Sequence, residues 1–510
     1  MRFSSLSGVS ALTLAALTAP ASCKPAETTY DYIVVGGGPA GLITAERLSE
    51  ANKKVLLLER GHGPTVATGS NHTVSWNSSL TPIDVPGLSS AVGELDLWNE
   101  YMCDDTAALA ACVLGGGVTV NYMVFVHPPA RDFDDKWPKG WKWNDVAPAA
   151  DRLYARNQGT LVPSINNERY DQGLYNTLSG FFDKLGWKSV DMIKQPNEKH
   201  EVYSWPSWNV KNALRAGPVE TAAGKKEIVK LSKNGRVVLS AGALTTPRLL
   251  FNSGIGAKKQ ILTAKKTGVT LPAERNWISL PVGENLMDHP IFTFTVKTGG
   301  AWGMLDTDSV LNGTDTKNID LYEKKSSGIL TQGRHRMIFF SSNKGSDGVT
   351  RYFQGSCAAG GDGIASIKVY MTHGLTSTGV LGMTEEGKTV IEKSPYLQTD
   401  GDVEAAKAFV QDMVNKITES SSGFVLQKET NTTAIIKAVT SGNHYAGTTK
   451  MGTDDGRKGG SSVVDTNAKV YGMDNLFVSD AGIHPDLPTG NIQTIVMVAA
   501  EAAVAKILAC

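Results

Sequence analysis

Residues 31–60 restrict what this chain can fold into more than any other stretch. They read Tyr-Ile-Val-Val-Gly-Gly-Gly-Pro-Ala-Gly after Asp31, then an Ala/Leu-rich segment, then Val-Leu-Leu-Leu-Glu-Arg. The apolar run 32–35 has the length and β-branched character of a buried strand, while Leu42, Ala45 and Leu48 recur at helical spacing. Between them Gly36, Gly38 and Gly41 take the G-x-G-x-x-G positions. Gly36 permits the tight turn, Gly38 lets the backbone approach a pyrophosphate, and Gly41 lets helix and strand pack closely. The first N–H groups of the helix then face the anion. Glu59 closes the second strand about 20 residues on, where a carboxylate accepts hydrogen bonds from a ribose 2′-hydroxyl. That choice favours an unphosphorylated adenosine ribose over NADP. A lone glycine triplet is a weak signal, but strand, helix and correctly spaced acid together specify a βαβ dinucleotide site.

The 510 residues, 41% hydrophobic and 20% charged, suit two globular domains or one large composite. Lys plus Arg and Asp plus Glu balance at 50 each, which argues against nucleic acid or an anionic membrane surface as a partner. Met1 and Arg2, the apolar run 9–17 and Ala19-Pro20-Ala21 read as a secretory signal peptide over residues 1–21. The run is shorter than the roughly 20 residues a membrane span needs. Export opens the glycosylation route to the sequons at Asn71, Asn77, Asn312 and Asn431. It also makes a Cys103–Cys112 disulfide the expectation, with Cys23, Cys357 and Cys510 left as an odd set. No Cys/His cluster has metal spacing.

Residues 61–94, rich in Ser, Thr, Gly, Pro and Asn, read as a long surface excursion. The run Gly115-Gly116-Gly117 would let a flat ring or a phosphate lie on backbone. Trp137, Trp141 and Trp143 suggest a departure into a second domain. Residues 236–242 form another buried strand, and Pro247 suits the first turn of a helix through Leu250. Alternating segments such as 291–296 and 365–370 indicate an antiparallel sheet with one face toward a ligand. Residues 476–482 return to the buried-strand style, and 489–508 make a long Ala/Val helix. The expected fold is therefore α/β: a discontinuous Rossmann-like nucleotide domain beside a substrate domain built on an antiparallel sheet.

With these landmarks in place, the chain resembles the glucose-methanol-choline (GMC) oxidoreductases from about Tyr30 onward, and most of all the flavin domain of fungal cellobiose dehydrogenases. Residues 242–256, Gly-Ala-Leu-Thr-Thr-Pro-Arg-Leu-Leu-Phe-Asn-Ser-Gly-Ile-Gly, match the family's second signature throughout. Residues 280–289 and the blocks from Asp480 to Asn491 also look like family blocks, and 114–125 represents the first signature, with Val118 where a smaller residue is usual. After Val219 relatives continue through a helix and a strand pair that this chain omits. The resemblance implies FAD domain pieces at 28–135, 213–290 and 456–510, and substrate domain pieces at 136–212 and 291–455.

The resemblance also implies FAD as cofactor, held by Gly36, Gly38, Gly41, Glu59, Gly116, Gly117, Asn121, Asp480, Ala481 and Thr494. His444 matches the catalytic histidine, and its ordinary pKa near 6.5 suits a base that takes a hydroxyl proton at neutral pH. Asn491 matches its partner; an amide can donate to the substrate oxygen without competing for the proton. Asn443 resembles a sugar-contacting residue, and Trp205 and Trp208 fall where relatives line the pocket, an indole face being suited to stack on a pyranose. His289, His373 and His484 are read as ordinary core or surface histidines. The expected activity is oxidation of a sugar hydroxyl, the anomeric hydroxyl of cellobiose or a related saccharide, with electrons passed to a quinone or a separate redox protein. An alcohol or aryl-alcohol oxidase using oxygen is the alternative, and a product that has lost FAD at the Val219 junction is a third.

Overall fold

The computed structural model describes residues 29–95, 98–216, 229–428 and 431–510. The expected signal peptide, Cys23 and the junction after Val219 lie outside the described residues.

The βαβ unit consists of β1 (Thr29–Val35), α1 (Pro39–Glu50) and β2 (Val55–Leu58). β1 pairs in parallel with β2 on one side and with strand Lys230–Leu239 on the other, and Leu476–Val478 adds beyond that. Val34, Val238 and Phe477 are completely buried where these strands meet. Helix Gln493–Ala509, apolar on nearly every side, packs on α1 across the sheet. A helix without a polar face has to be enclosed, and here the sheet, α1 and helix Trp143–Arg156 enclose it. Three widely separated stretches of sequence thus build one nucleotide-binding layer.

Two expectations change. Trp137 and Trp141 stack at 5.1 Å inside the same core as Ile33 and Val35. The tryptophan-rich segment therefore completes the nucleotide core, because indoles of that size supply the apolar area that the Ala-rich helices lack. Residues 61–94 carry only short 3₁₀ turns; 61–80 lie largely at the surface, but Ile83, Val85, Leu88 and Val92 are buried, so the second half of the stretch packs into the molecule.

The second sheet runs in the order Val425–Leu426, Pro290–Lys297, Ile364–Met371, Thr350–Gly361, His335–Lys344, Val202–Ser204, Lys188–Ser189. Its four long strands are antiparallel, and Thr440–Ser441 pairs with Pro290 and Ile291 at one edge. That small pairing brings residues 441–444 beside residues 288–289. Among the described residues no helix is long and apolar enough to cross a membrane.

Cys103 and Cys112 are joined in a disulfide across a sequence separation of 9. The loop it closes carries Asp105, which receives Arg60 and Arg248, burial opposing and the two guanidinium groups outweighing it to hold the carboxyl at about 2. Closing a loop of this size removes denatured-state entropy worth about 2–3 kcal/mol. Cys103→Ser with Cys112→Ser is expected to lose that much stability, measured by guanidinium unfolding against the oxidised wild type.

Candidate active site

A large cavity, about 3250 Å³, runs from Glu59 past Gly38, Gly116 and Gly117 to His444 and Asn491. The glycines at its nucleotide end divide by role. A Cβ on Gly36 (φ +110°) would lie 2.4 Å from Ser240 O, and one on Gly41 would lie 1.9 Å from Gly36 O, so both positions exclude side chains. A Cβ on Gly38 or Gly117 would meet nothing within 4 Å, which leaves their backbone open to the cavity. Glu59 is anchored by the Gly37 and Gly61 N–H groups at 2.6 and 2.7 Å. A carboxylate has roughly four acceptor sites, so capacity remains for a ribose hydroxyl. A helix N-terminus, an open glycine backbone and an anchored acid along one continuous cavity fit FAD. Ala481 lines the cavity beside them.

Other residues expected to hold the cofactor do different work. Asp480 lines the cavity, yet its carboxylate accepts from Gly242 N, Thr246 Oγ1 and Gly482 N, tying its own turn to residues 242–246. Thr494 is fully buried within the start of its helix and does not line the cavity. Asn121 does line it, donating to Gln493 Oε1 at 2.9 Å while its Oδ1 accepts from Met123 N. Its loop is gripped by Arg215, a buried guanidinium bonded to the Ile83, Val118 and Asn121 carbonyls. Arg215 carries no signature, and only the fold reveals its task.

At the far end Asp288 organises the base. Its carboxylate accepts from His444 N at 2.6 Å, Gly442 N at 3.0 Å, Ser441 Oγ at 2.7 Å and Tyr396 Oη at 2.6 Å. The turn through Asn443 (φ +55°) is thereby held in one shape. Tyr370 stacks on the His444 ring at 5.6 Å.

The hydrogen bonds also assign the tautomers. Asn491 N donates to Gln354 Oε1 at 3.0 Å, which orients the Gln354 amide so that its Nε2 donates to Asn491 Oδ1 at 2.7 Å. Asn491 must then turn its Nδ2 the other way, and that atom lies 3.4 Å from His444 Nε2. An amide N–H only donates, so Nε2 is the lone-pair nitrogen of His444. Its proton sits on Nδ1, which faces His289 Nδ1 at 2.9 Å. Burial lowers the pKa of both imidazoles; His444 further disfavours a charge on His289, whereas Asp288 partly restores basicity to His444. Both rings are neutral at pH 7. The result is a basic nitrogen and an amide donor aimed at one point, the arrangement a hydroxyl group would bridge. His289 and Gln354, plain residues in the sequence, complete it.

Asn443 stands exposed at the cavity mouth. The tryptophans expected beside it do not line the cavity. Trp205 is stacked on Tyr175 at 3.6 Å on one face and covered by Arg169 at 4.1 Å on the other, and Trp208 is buried, its backbone bridged to Val124 and Thr160. No indole face is left for a sugar ring at either position.

The loop that delivers Asn491 rests on a buried ionic cluster. His373 bonds the Leu487 carbonyl and the Asp135 carboxylate, each at 2.7 Å, and Asp132 accepts from Thr489 N and Oγ1.

Comparison with known proteins accounts for this assembly. Models described as GMC oxidoreductase match residues 209–291 and 381–500, and one described as an NAD(P)-binding Rossmann-like domain matches 34–86. Dehydrogenase eriK of Hericium erinaceus is 24% identical, covering 94% of both chains. An oxygen-dependent choline dehydrogenase of Sinorhizobium fredii is 24% identical over 94% of this chain and 95% of its own. The fold is shared with a formate oxidase (TM-score 0.73, 18% identity, 96% of this chain and 99% of the other). It is shared also with a fungal aryl-alcohol oxidase (TM-score 0.66, 17% identity, 94% and 99%). The glycine cradle, the His444–Asn491 pair and these matches agree: the chain belongs to the GMC oxidoreductase family, FAD-dependent enzymes acting on CH–OH groups.

Proposed function

We propose that this protein is an exported enzyme that oxidises a hydroxyl-bearing carbon of a small polar molecule, with a saccharide hydroxyl as the first substrate to try. One observation carries the chemistry: His444 Nε2 and Asn491 Nδ2 converge, 3.4 Å apart, on the cavity. A substrate hydroxyl between them donates its proton to Nε2 and accepts a hydrogen bond from Nδ2. As the proton leaves, the C–O bond gains double-bond character and the carbon releases hydride. Bound FAD supplies the acceptor for that hydride. The neutral His289 takes the Nδ1–H of His444, so the ring keeps its lone pair on the substrate side. Gln354 holds the Asn491 amide against flipping.

The saccharide reading rests on the resemblance of Asn443 and His444 to the cellobiose dehydrogenases, without help from Trp205 or Trp208. Export rests on the first 21 residues, with the Cys103–Cys112 disulfide and the exposed Asn71 and Asn312 consistent with it. A quinone or separate redox protein is the proposed electron acceptor. Oxygen is the second reading, favoured by the pyridoxine 4-oxidase and aryl-alcohol oxidase among the similar structures.

The test is an absorption spectrum of the secreted holoprotein, first with cellobiose and then with primary alcohols, under anaerobic conditions. Bleaching of the oxidised flavin by either class is expected; a flavin that no hydroxyl compound bleaches would sink the proposal. Admitting oxygen or a quinone afterwards separates the two acceptors by the rate of recolouring.

A further inference from the structure

The substrate end of the cavity has a one-sided charge that the hydroxyl chemistry leaves unused. Lys368, His335 and Tyr122 line it together with His444. Lys368 is two residues before Tyr370 on strand Ile364–Met371, hence on the same face and about 7 Å along from the ring stacked on His444. In register it lies opposite Ser356, the residue bonded to the amide of Gln354. Lys368 therefore stands one substrate length from the base. Its ammonium has neither an ion pair nor a hydrogen bond among the described residues.

Arg334 is the second cation. Its guanidinium lies over the Tyr122 ring at 5.9 Å, and the His335 ring meets the same tyrosine edge-on at 5.6 Å. Arg334 also has no carboxylate partner among the described residues, in contrast to Arg336, which is bonded to Asp171 at 2.5 Å. His335 is 6% exposed, and its buried Nδ1 has no hydrogen-bond partner. Burial first, and then the neighbouring cations Arg334, Lys368 and Arg336, hold it neutral, at about 3. The carboxylates that line the cavity, Glu59, Asp105, Glu385 and Asp480 among them, belong to the nucleotide end. Asp288, the acid nearest the base, is buried and turned onto four donors, three from residues 441–444 and one from Tyr396.

Lys368 and the unpartnered imidazole of His335 line one end of the cavity, and Arg334 adds a second cation behind the Tyr122 ring, so that this end forms a receptor for an anion. We infer that the substrate is an acid as well as an alcohol: a hydroxy-carboxylate, such as a sugar acid, whose carboxylate is received by Lys368, with the charge of Arg334 behind it, while its hydroxyl meets His444. This rests on the proposed oxidation for the hydroxyl half, but the carboxylate half can be tested without turnover.

The holoenzyme is titrated with acetate against acetamide and benzoate against benzamide, reading the perturbation of flavin absorbance. The carboxylates are expected to bind at least about tenfold more tightly than their neutral amides, as for a charged hydrogen bond in a partly enclosed site. Lys368→Met with Arg334→Met is expected to abolish that preference. Equal binding of acid and amide, or a preference that survives the double substitution, overturns the inference. Anaerobic flavin reduction by 4-(hydroxymethyl)benzoate and by benzyl alcohol then addresses the other half. If the carboxylate preference stands but neither alcohol reduces the flavin, the proposed oxidation falls and the anion receptor remains. If both alcohols reduce it and Lys368→Met slows them equally, the lysine serves the flavin and the inference falls.

Discussion

His444→Ala is expected to lower kcat/KM by about 10²–10⁴-fold, the usual worth of a positioned general base, while the flavin stays bound. The cavity that holds the nucleotide is built from the glycine turns around Gly38 and Gly117, far along the chain from residue 444, so cofactor retention and catalysis should separate. The pH profile gives a second reading. Burial places the His444 pKa below its ordinary 6.5, and only the neutral ring can accept the proton. For the wild type kcat/KM should therefore rise with pH through a midpoint below 6.5 and be flat by neutrality. The alanine variant should lose that acidic limb. A variant within tenfold of wild type, or an unchanged acidic limb, would falsify the assignment of the base.

His289→Ala would not imitate this variant. His289 acts through its Nδ1 contact, fixing which nitrogen of His444 carries the lone pair, and a water molecule could accept the same proton. The distinction shows why some of this site was legible in the sequence and some was not. His444, Asn491 and the glycines of the βαβ unit sit in short blocks whose spacing is itself the requirement, so a local reading reaches them. Asp288 and Gln354 matter only because Thr440–Ser441 pairs with Pro290–Ile291 and because strand Thr350–Gly361 lies beneath Asn491. No local period encodes a contact between residues more than a hundred positions apart. Trp205 failed for the converse reason: an indole in the right segment has two faces, and here Tyr175 and Arg169 cover both. The burial of residues 83–92 was hidden by a turn-like composition, since Gly and Pro mark bends without saying whether the bends lie inside or outside the molecule.

His373→Gln is expected to cost roughly 3 kcal/mol at neutral pH and to disturb the loop that carries Asn491. The ring is 1% exposed and faces acceptors at both nitrogens, the Leu487 carbonyl and the Asp135 carboxylate, so only an imidazolium donates to both. Asp132 and Asp486 stand 3.7 and 3.6 Å away, with Lys136 bonded to Asp486 at 3.1 Å and Arg131 covering Tyr352 nearby. Burial alone would lower the pKa of His373; Asp486, Asp135 and Asp132 together raise it to about 9. A rise from 6.5 to about 9 corresponds to roughly 3 kcal/mol. Because the folded pKa is the higher one, this stabilisation is complete below pH 6.5 and is lost as pH climbs through about 9. Lys199, fully enclosed near Asp132, has its pKa lowered to about 7 by burial and titrates in the opposite sense over the same range. The wild-type stability curve alone is therefore flattened, and the difference between wild type and His373→Gln isolates the histidine. That difference, from guanidinium unfolding at a series of pH values, should be largest near pH 6 and shrink toward zero above pH 9. A difference that does not change with pH would mean that His373 fills space without carrying charge, and that Asn491 is held by Asp132 and Gln354 alone.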